Sequence, residues 1–96
     1  MTHPNDAHIL AVDDSADNLF LLESILSECD DYRVSFAEDG GTALEKVTQS
    51  PPDLLLLDIM MPGIDGYEVT RRIRQNERLP YIPILLITAH DQSSVV

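Results

Sequence analysis

Leu54-Leu55-Leu56-Leu57-Asp58-Ile59-Met60-Met61-Pro62-Gly63 decides the fold, because a carboxylate stands where an apolar run breaks into a Pro-Gly turn. Four consecutive leucines predict a strand covered on both faces, and open α/β sheets hold their ligands at the carboxyl ends of such strands. Asp58 is therefore the candidate reactive group. A second short apolar run, Ile9-Leu10-Ala11-Val12, also ends in acid, at Asp13-Asp14. If the two strands lie side by side in parallel, Asp13, Asp14 and Asp58 meet at one edge of the sheet. Their mutual repulsion would favour a hard divalent cation such as magnesium. Alone, Asp13-Asp14 reads as a solvated turn with a helix cap; the matching strand end at Asp58 is what makes it a metal site.

Outward from these two runs, the periodicity alternates between strand and helix. After Ile9 to Asp13, the apolar positions Leu22, Ile25, Leu26 and Cys29 fall at helical spacing, with Ser15 or Asp17 as the cap. Tyr32 to Ala37 is rich in β-branched and aromatic residues and predicts a second strand. Gly40-Gly41 opens a second helix, in which Thr42 and Glu45 have capping-box spacing and Ala43, Leu44 and Val47 face the core. Ser50-Pro51-Pro52 ends it, Leu54 to Asp58 is the third strand, and Val69 and Ile73 mark a third helix. Pro80 and Pro83 bracket the entry to a fourth strand, Ile84-Leu85-Leu86-Ile87, ending at Thr88-Ala89-His90. Repeated strand-helix units with short connections predict a doubly wound α/β fold: a parallel sheet, helices on both faces and right-handed crossovers.

The 96 residues suffice for one core and not for two, so residues 1–96 are expected to form a single domain. A net charge of -11 argues against nucleic acid, which needs clustered Lys and Arg. Arg71, Arg72, Arg74 and Arg78 do cluster, and they read as the solvated face of a helix. One cysteine, Cys29, allows no internal disulfide and reads as a small core side chain in a reducing compartment. No secretory signal opens the chain and no apolar run reaches membrane-spanning length, so a cytoplasmic location and no membrane partner are expected. His3, His8 and His90 show no metal spacing and are assigned no chemistry; Asp30-Asp31 and Glu38-Asp39 read as loop charges.

The pattern resembles the receiver domain of bacterial two-component response regulators over nearly the whole chain from His8 on. The resemblance rests on four separated features in order: Asp13-Asp14 after the first strand, Asp58 after the third, Met61-Pro62-Gly63 with Asp65-Gly66 behind it, and Thr88 after the fourth. It implies the flavodoxin-like strand order 2-1-3-4-5, here 2-1-3-4 with the fifth strand missing. It also implies that Asp58 accepts a phosphoryl group from a sensor histidine kinase or phosphotransfer protein, the domain being a phosphoacceptor and not an enzyme on outside substrates. Asp14 and Asp58 would ligate Mg2+ directly, with the Met60 backbone carbonyl as a third ligand and Asp13 acting mostly through water. Thr88 would be the switch hydroxyl that donates to the phosphoryl oxygen.

The sequence departs from the family in one consequential way. The lysine that ends a fifth strand in receivers is absent, and the only lysine, Lys46, lies on the second helix. Residues 1–96 thus read as a receiver domain truncated at its C-terminal side. Loss of one charge-assisted contact costs about 1.5–3 kcal/mol, so phosphorylation is expected to be slower or its signal weaker. Without a fifth strand, Ile84 to Thr88 would be an exposed apolar edge that invites self-association, with Leu86→Lys expected to favour the monomer. The alternative to phosphorelay signalling is a phosphorylation-independent pseudo-receiver that binds or dimerises. A hydrolase with an aspartate nucleophile is disfavoured, because Met60 stands where a second aspartate is wanted.

Overall fold

A computed structural model of the protein describes residues 7–28 and 31–87. In chain order the elements are β1 (Ala7–Val12), α1 (Ala16–Leu26), β2 (Tyr32–Ala37), α2 (Gly40–Gln49), β3 (Leu54–Asp58), α3 (Gly66–Gln75) and β4 (Ile84–Ile87). The four strands form one sheet in the order β2-β1-β3-β4, and every neighbouring pair is parallel. This is the flavodoxin-like order implied by the receiver resemblance, with β1 and β3 adjacent at its centre. Among the described residues no helix is long and apolar enough to cross a membrane.

Pleating divides the strand side chains between two faces of unequal cover. Leu10, Val12, Leu55 and Leu57 point to the side of α2 and α3. There they form the main core with Ala37, Ala43, Val47, Met61, Val69, Ile73 and Ile82, and Leu44, Ile84 and Leu86 pack against it. Fully burying an aliphatic side chain contributes roughly 1.5–3 kcal/mol over leaving it exposed, so this face dominates the stability. Among the described residues the α1 side has a single helix. Ile9 and Ala11 are buried on it, but Leu54 and Leu56 are only half-buried and Leu85 is exposed. The leucine run is thus not covered on both faces, because one helix cannot span four strands.

The same shortage of cover corrects the reading of α1. Leu19 is the helix's buried residue, Leu22 and Leu26 are half-buried, and Ile25 is 62% exposed. Ile25 has the right spacing for the core, but among the described residues nothing buries it. Cys29 lies outside the described residues. Ala43, Leu44 and Val47 do face the core, as do Val69 and Ile73.

Helix starts are set by side chains that accept from otherwise unpartnered backbone N–H groups. Ser15 caps α1, accepting from the Asn18 N–H at 3.3 Å. Asp39 caps α2, accepting from Thr42 N–H at 2.7 Å, and Asp65 caps α3, accepting from Glu68 N–H at 2.9 Å. Asp39 is thus a cap and not a loop charge. Thr42, already inside the helix, receives the cap in place of supplying it.

Candidate functional site

β1 and β3 end side by side, in a register that pairs Val12 with Leu57. The residues that follow or end them are therefore neighbours by construction. One carboxylate oxygen from each of Asp13, Asp14 and Asp58 lies within 4.8 Å of the others. Asp58 is buried at 4% exposure, Asp13 is close to buried, and Asp14 is exposed. Two full negative charges about 5 Å apart repel by roughly 1 kcal/mol in water and by several times that near a protein surface. An all-oxygen donor set of this kind suits a hard divalent cation, which removes the repulsion.

The chain holds these acids in place locally. Asp13 accepts from the Ser15 N–H at 2.9 Å through one oxygen and from the Asn18 side-chain amide at 3.1 Å through the other. The first turn of α1 therefore fixes the orientation of its carboxylate. Asp58 accepts from the Met60 N–H at 3.2 Å, so the backbone after β3 folds back over the buried acid. Behind it, the Gly66 N–H donates to the Ile59 carbonyl at 3.0 Å, seating the start of α3 against the end of β3. A Cβ at Gly66 would lie 2.6 Å from the Asp58 carbonyl oxygen and 2.8 Å from the Ile59 Cα. Only glycine permits that approach. Gly63, at φ +80°, makes the turn between them in the left-handed region.

The structure thus brings together Asp13, Asp14 and Asp58, with the Met60 backbone beside them. Thr88 lies outside the described residues. Lys46 lies on α2, where its ammonium donates to the Phe36 carbonyl oxygen at 2.5 Å. Asn18 was not singled out from the sequence. The Asp-Gly pair at 65–66 was legible as part of the loop pattern, but the backbone contact behind Gly66 is a tertiary fact. Asn18 carries no distinguishing signal, since an exposed amide would look the same.

The profile of the response regulator receiver domain matches residues 9–96. The response regulator PleD of Caulobacter vibrioides is 47% identical over 85 residues, covering 88% of this chain and 18% of PleD. The N-terminal domain of a response regulator receiver protein from Methanoculleus marisnigri superposes with a TM-score of 0.81 at 40% identity, over 86% of this chain and 67% of that one. The Mn2+-bound form of response regulator Rcp1 superposes with a TM-score of 0.78 at 32% identity, over 93% of this chain and 70% of that one. The chain belongs to the receiver-domain family of response regulators. It is a signalling domain of the phosphorelay type. The family works with histidine kinases or phosphotransfer proteins and binds Mg2+ in an acidic pocket, and this chain has the corresponding aspartate cluster. The chain spans about a fifth of the length of PleD, and nothing in these relatives favours the pseudo-receiver alternative.

Proposed function

We propose that Asp58 is the phosphoacceptor and that Asp13, Asp14, Asp58 and the Met60 carbonyl hold the magnesium it requires. The observation that carries this reading is the convergence of the three carboxylates at the carboxyl edge of the sheet, with Asp58 the buried member. A carboxylate oxygen of Asp58 attacks the phosphorus of a phosphohistidine on a sensor kinase or phosphotransfer protein. The P–O bond forms, the P–N bond breaks, and the imidazole leaves with a proton. When bound, Mg2+ neutralises the charge on the transferring oxygens. The chain's own part is to aim the nucleophile. The Met60 N–H holds one Asp58 oxygen, and α1 holds Asp13 through Ser15 and Asn18. The Mn2+ ion of the related Rcp1 supports a divalent site. Thr88 is assigned the switch hydroxyl because it follows Ile87, the register partner of Asp58. Residues 1–96 act as one receiver unit in the cytoplasm, with no catalysis beyond their own phosphorylation and dephosphorylation.

Intact mass after incubation with acetyl phosphate and Mg2+ tests this directly. The expected product carries one phosphoryl group, and the gain disappears in Asp58→Asn or in excess chelator. Labelling that persists in either would remove Asp58 from its role.

A second proposal concerns a partner of the same chain. β4 pairs with β3 alone among the described strands, and Leu85 on it is 56% exposed while Ile87 is also open. Such an edge pairs readily with another copy. Leu86 is not the residue to probe, contrary to the sequence-based choice, since it packs against the core. Leu85→Lys places the charge on the open face, and light scattering should show a shift toward monomer. An unmodified chain that is monomeric at high micromolar concentration would exclude self-association.

A further inference from the structure

A cavity of about 180 Å³ opens where β1 and β2 begin and α2 ends, the opposite end of the sheet from the aspartates. From His8 to Asp13 the strand advances roughly 16 Å, so the two sites are separate. Leu10 forms part of the floor, and His8, Arg33, Ser35, Lys46, Gln49 and Ser50 line the rest. In a chain with 17 acidic and 6 basic residues, no carboxylate among the described residues lines this cavity. It gathers the only lysine and the single arginine outside the 71–78 segment. Among the described residues neither Arg33 nor Lys46 is in a salt bridge.

The floor is fixed before any ligand arrives. His8 is 8% exposed, and its backbone N–H donates to Asp53 Oδ2 at 2.8 Å. The His8 Nε2 lies 3.0 Å from the Ser35 hydroxyl, and Lys46, whose ammonium donates to the Phe36 carbonyl, lines the same cavity. Burial first, and then the Arg33 charge, hold the His8 ring below its ordinary pKa, with Asp53 opposing. The positive charge of the cavity therefore comes from Arg33 and Lys46, and neutral donors surround it. Two cations with hydroxyl and amide donors match a doubly charged, many-oxygen group, and the volume exceeds that of several waters.

We infer that this cavity binds a small phosphomonoester-type dianion, recognised by Arg33 and Lys46 with Ser35, Gln49 and Ser50. The inference is independent of Asp58. It can be tested in the Asp58→Asn protein with chelator present, so that the acidic site takes no part. Inorganic phosphate is titrated into the 15N-labelled protein and compared with chloride at equal ionic strength. The expected result is saturable amide shifts in residues 33–35 and 46–50 with phosphate only. Arg33→Gln and Lys46→Gln should each weaken binding about tenfold, the loss of one charge-assisted contact. Both side chains are exposed, and thermal midpoints check that the variants fold; should Lys46→Gln unfold, Arg33→Gln decides alone. Non-saturating shifts, an equal response to chloride, shifts confined to the aspartate end, or affinity unchanged in a folded variant would each overturn the site.

Discussion

Gly66→Ala tests whether the seating of α3 on the end of β3 holds the acidic site together. The new Cβ would stand 2.6 Å from the Asp58 carbonyl oxygen, 2.8 Å from the Ile59 Cα and 3.2 Å from the Asp58 carbonyl carbon. All three are backbone atoms of the strand end, so no side-chain rotation relieves the clash. To reach ordinary van der Waals separation the start of α3 must retreat by about 0.8 Å. Overpacking of this kind costs about 1–3 kcal/mol. The retreat also lengthens the Gly66 N–H bond to the Ile59 carbonyl, worth a further 0.5–1.5 kcal/mol or so. Against this, alanine gains about 0.4–1 kcal/mol over glycine by restricting the unfolded chain. The clash wins, with a net loss of roughly 0.5–4 kcal/mol, or about 4–8 °C in Tm for each kcal/mol. Gly41→Ala is the internal control. Its nearest neighbour would be an Asp39 carboxylate oxygen at 3.5 Å, an ordinary contact, so only the gain remains. Urea melts should therefore move in opposite directions for the two variants. Mg2+ affinity, read by thermal shift, should fall in Gly66→Ala alone, because the displaced atoms belong to Asp58 itself. If Gly66→Ala were as stable as Gly41→Ala and bound Mg2+ normally, the close approach would not constrain the site.

Mg2+ should raise the melting temperature, by the equivalent of about 2.7 kcal/mol at a hundredfold excess over Kd; Asp14→Asn should abolish this gain and Asp31→Asn should keep it, whereas equal loss in both would indicate general screening. Because His8 is held below its usual pKa of 6.5, the unfolded chain takes up a proton that the folded chain refuses. Stability should accordingly fall as the pH drops below about 6.5, and His8→Gln should flatten that slope in urea melts at pH 7.5 and 5.5. Glu68 accepts from Arg71 at 3.0 Å and from Arg72 at 2.7 Å, and these bonds lower its pKa to about 2. Its contribution is fully present above the unfolded carboxylate value of 4.5, declines as the pH falls below it, and is gone once the pH has passed through about 2. In an NMR titration Glu68 should be the last glutamate to protonate, and high salt should move it back up.

The strands were the most legible part of the chain, because each is a short apolar run with turn residues at both ends. β2, β3 and β4 occupy the expected segments, and β1 begins two residues earlier, at Ala7 in place of Ile9. The inward faces of α2 and α3 followed from spacing alone, since Ala43, Val47, Val69 and Ile73 recur at helical intervals over a covered sheet face. Ile25 has the same spacing and is exposed, because periodicity reports a stripe and not what lies opposite it. Asp39 looked like any other loop acid, and Asp65 stood out only through its pairing with Gly66; the role of each as a cap depends on backbone geometry at one residue. The convergence of Asp13, Asp14 and Asp58 was legible because a parallel neighbour places strand ends together. The restraints on it, from Asn18 and Gly66, were not, because each is a contact with no pattern in the sequence. His8 was set aside for lacking metal spacing, and the cavity it lines comes from the close approach of β2 and α2.

The central pairing of β1 with β3 also fixes when the site comes into being. Ile9 meets Leu54 across 45 positions of chain, with α1, β2 and α2 in between. Contacts so far apart in sequence form only after the entropy of closing the intervening loop has been met, and they are typically slow. A polypeptide that has emerged from the ribosome past Asp14 but not as far as Asp58 lacks the third member of the cluster. The acidic triad is thus a product of one late closure, and Mg2+ added during refolding would register that event and none of the local steps before it.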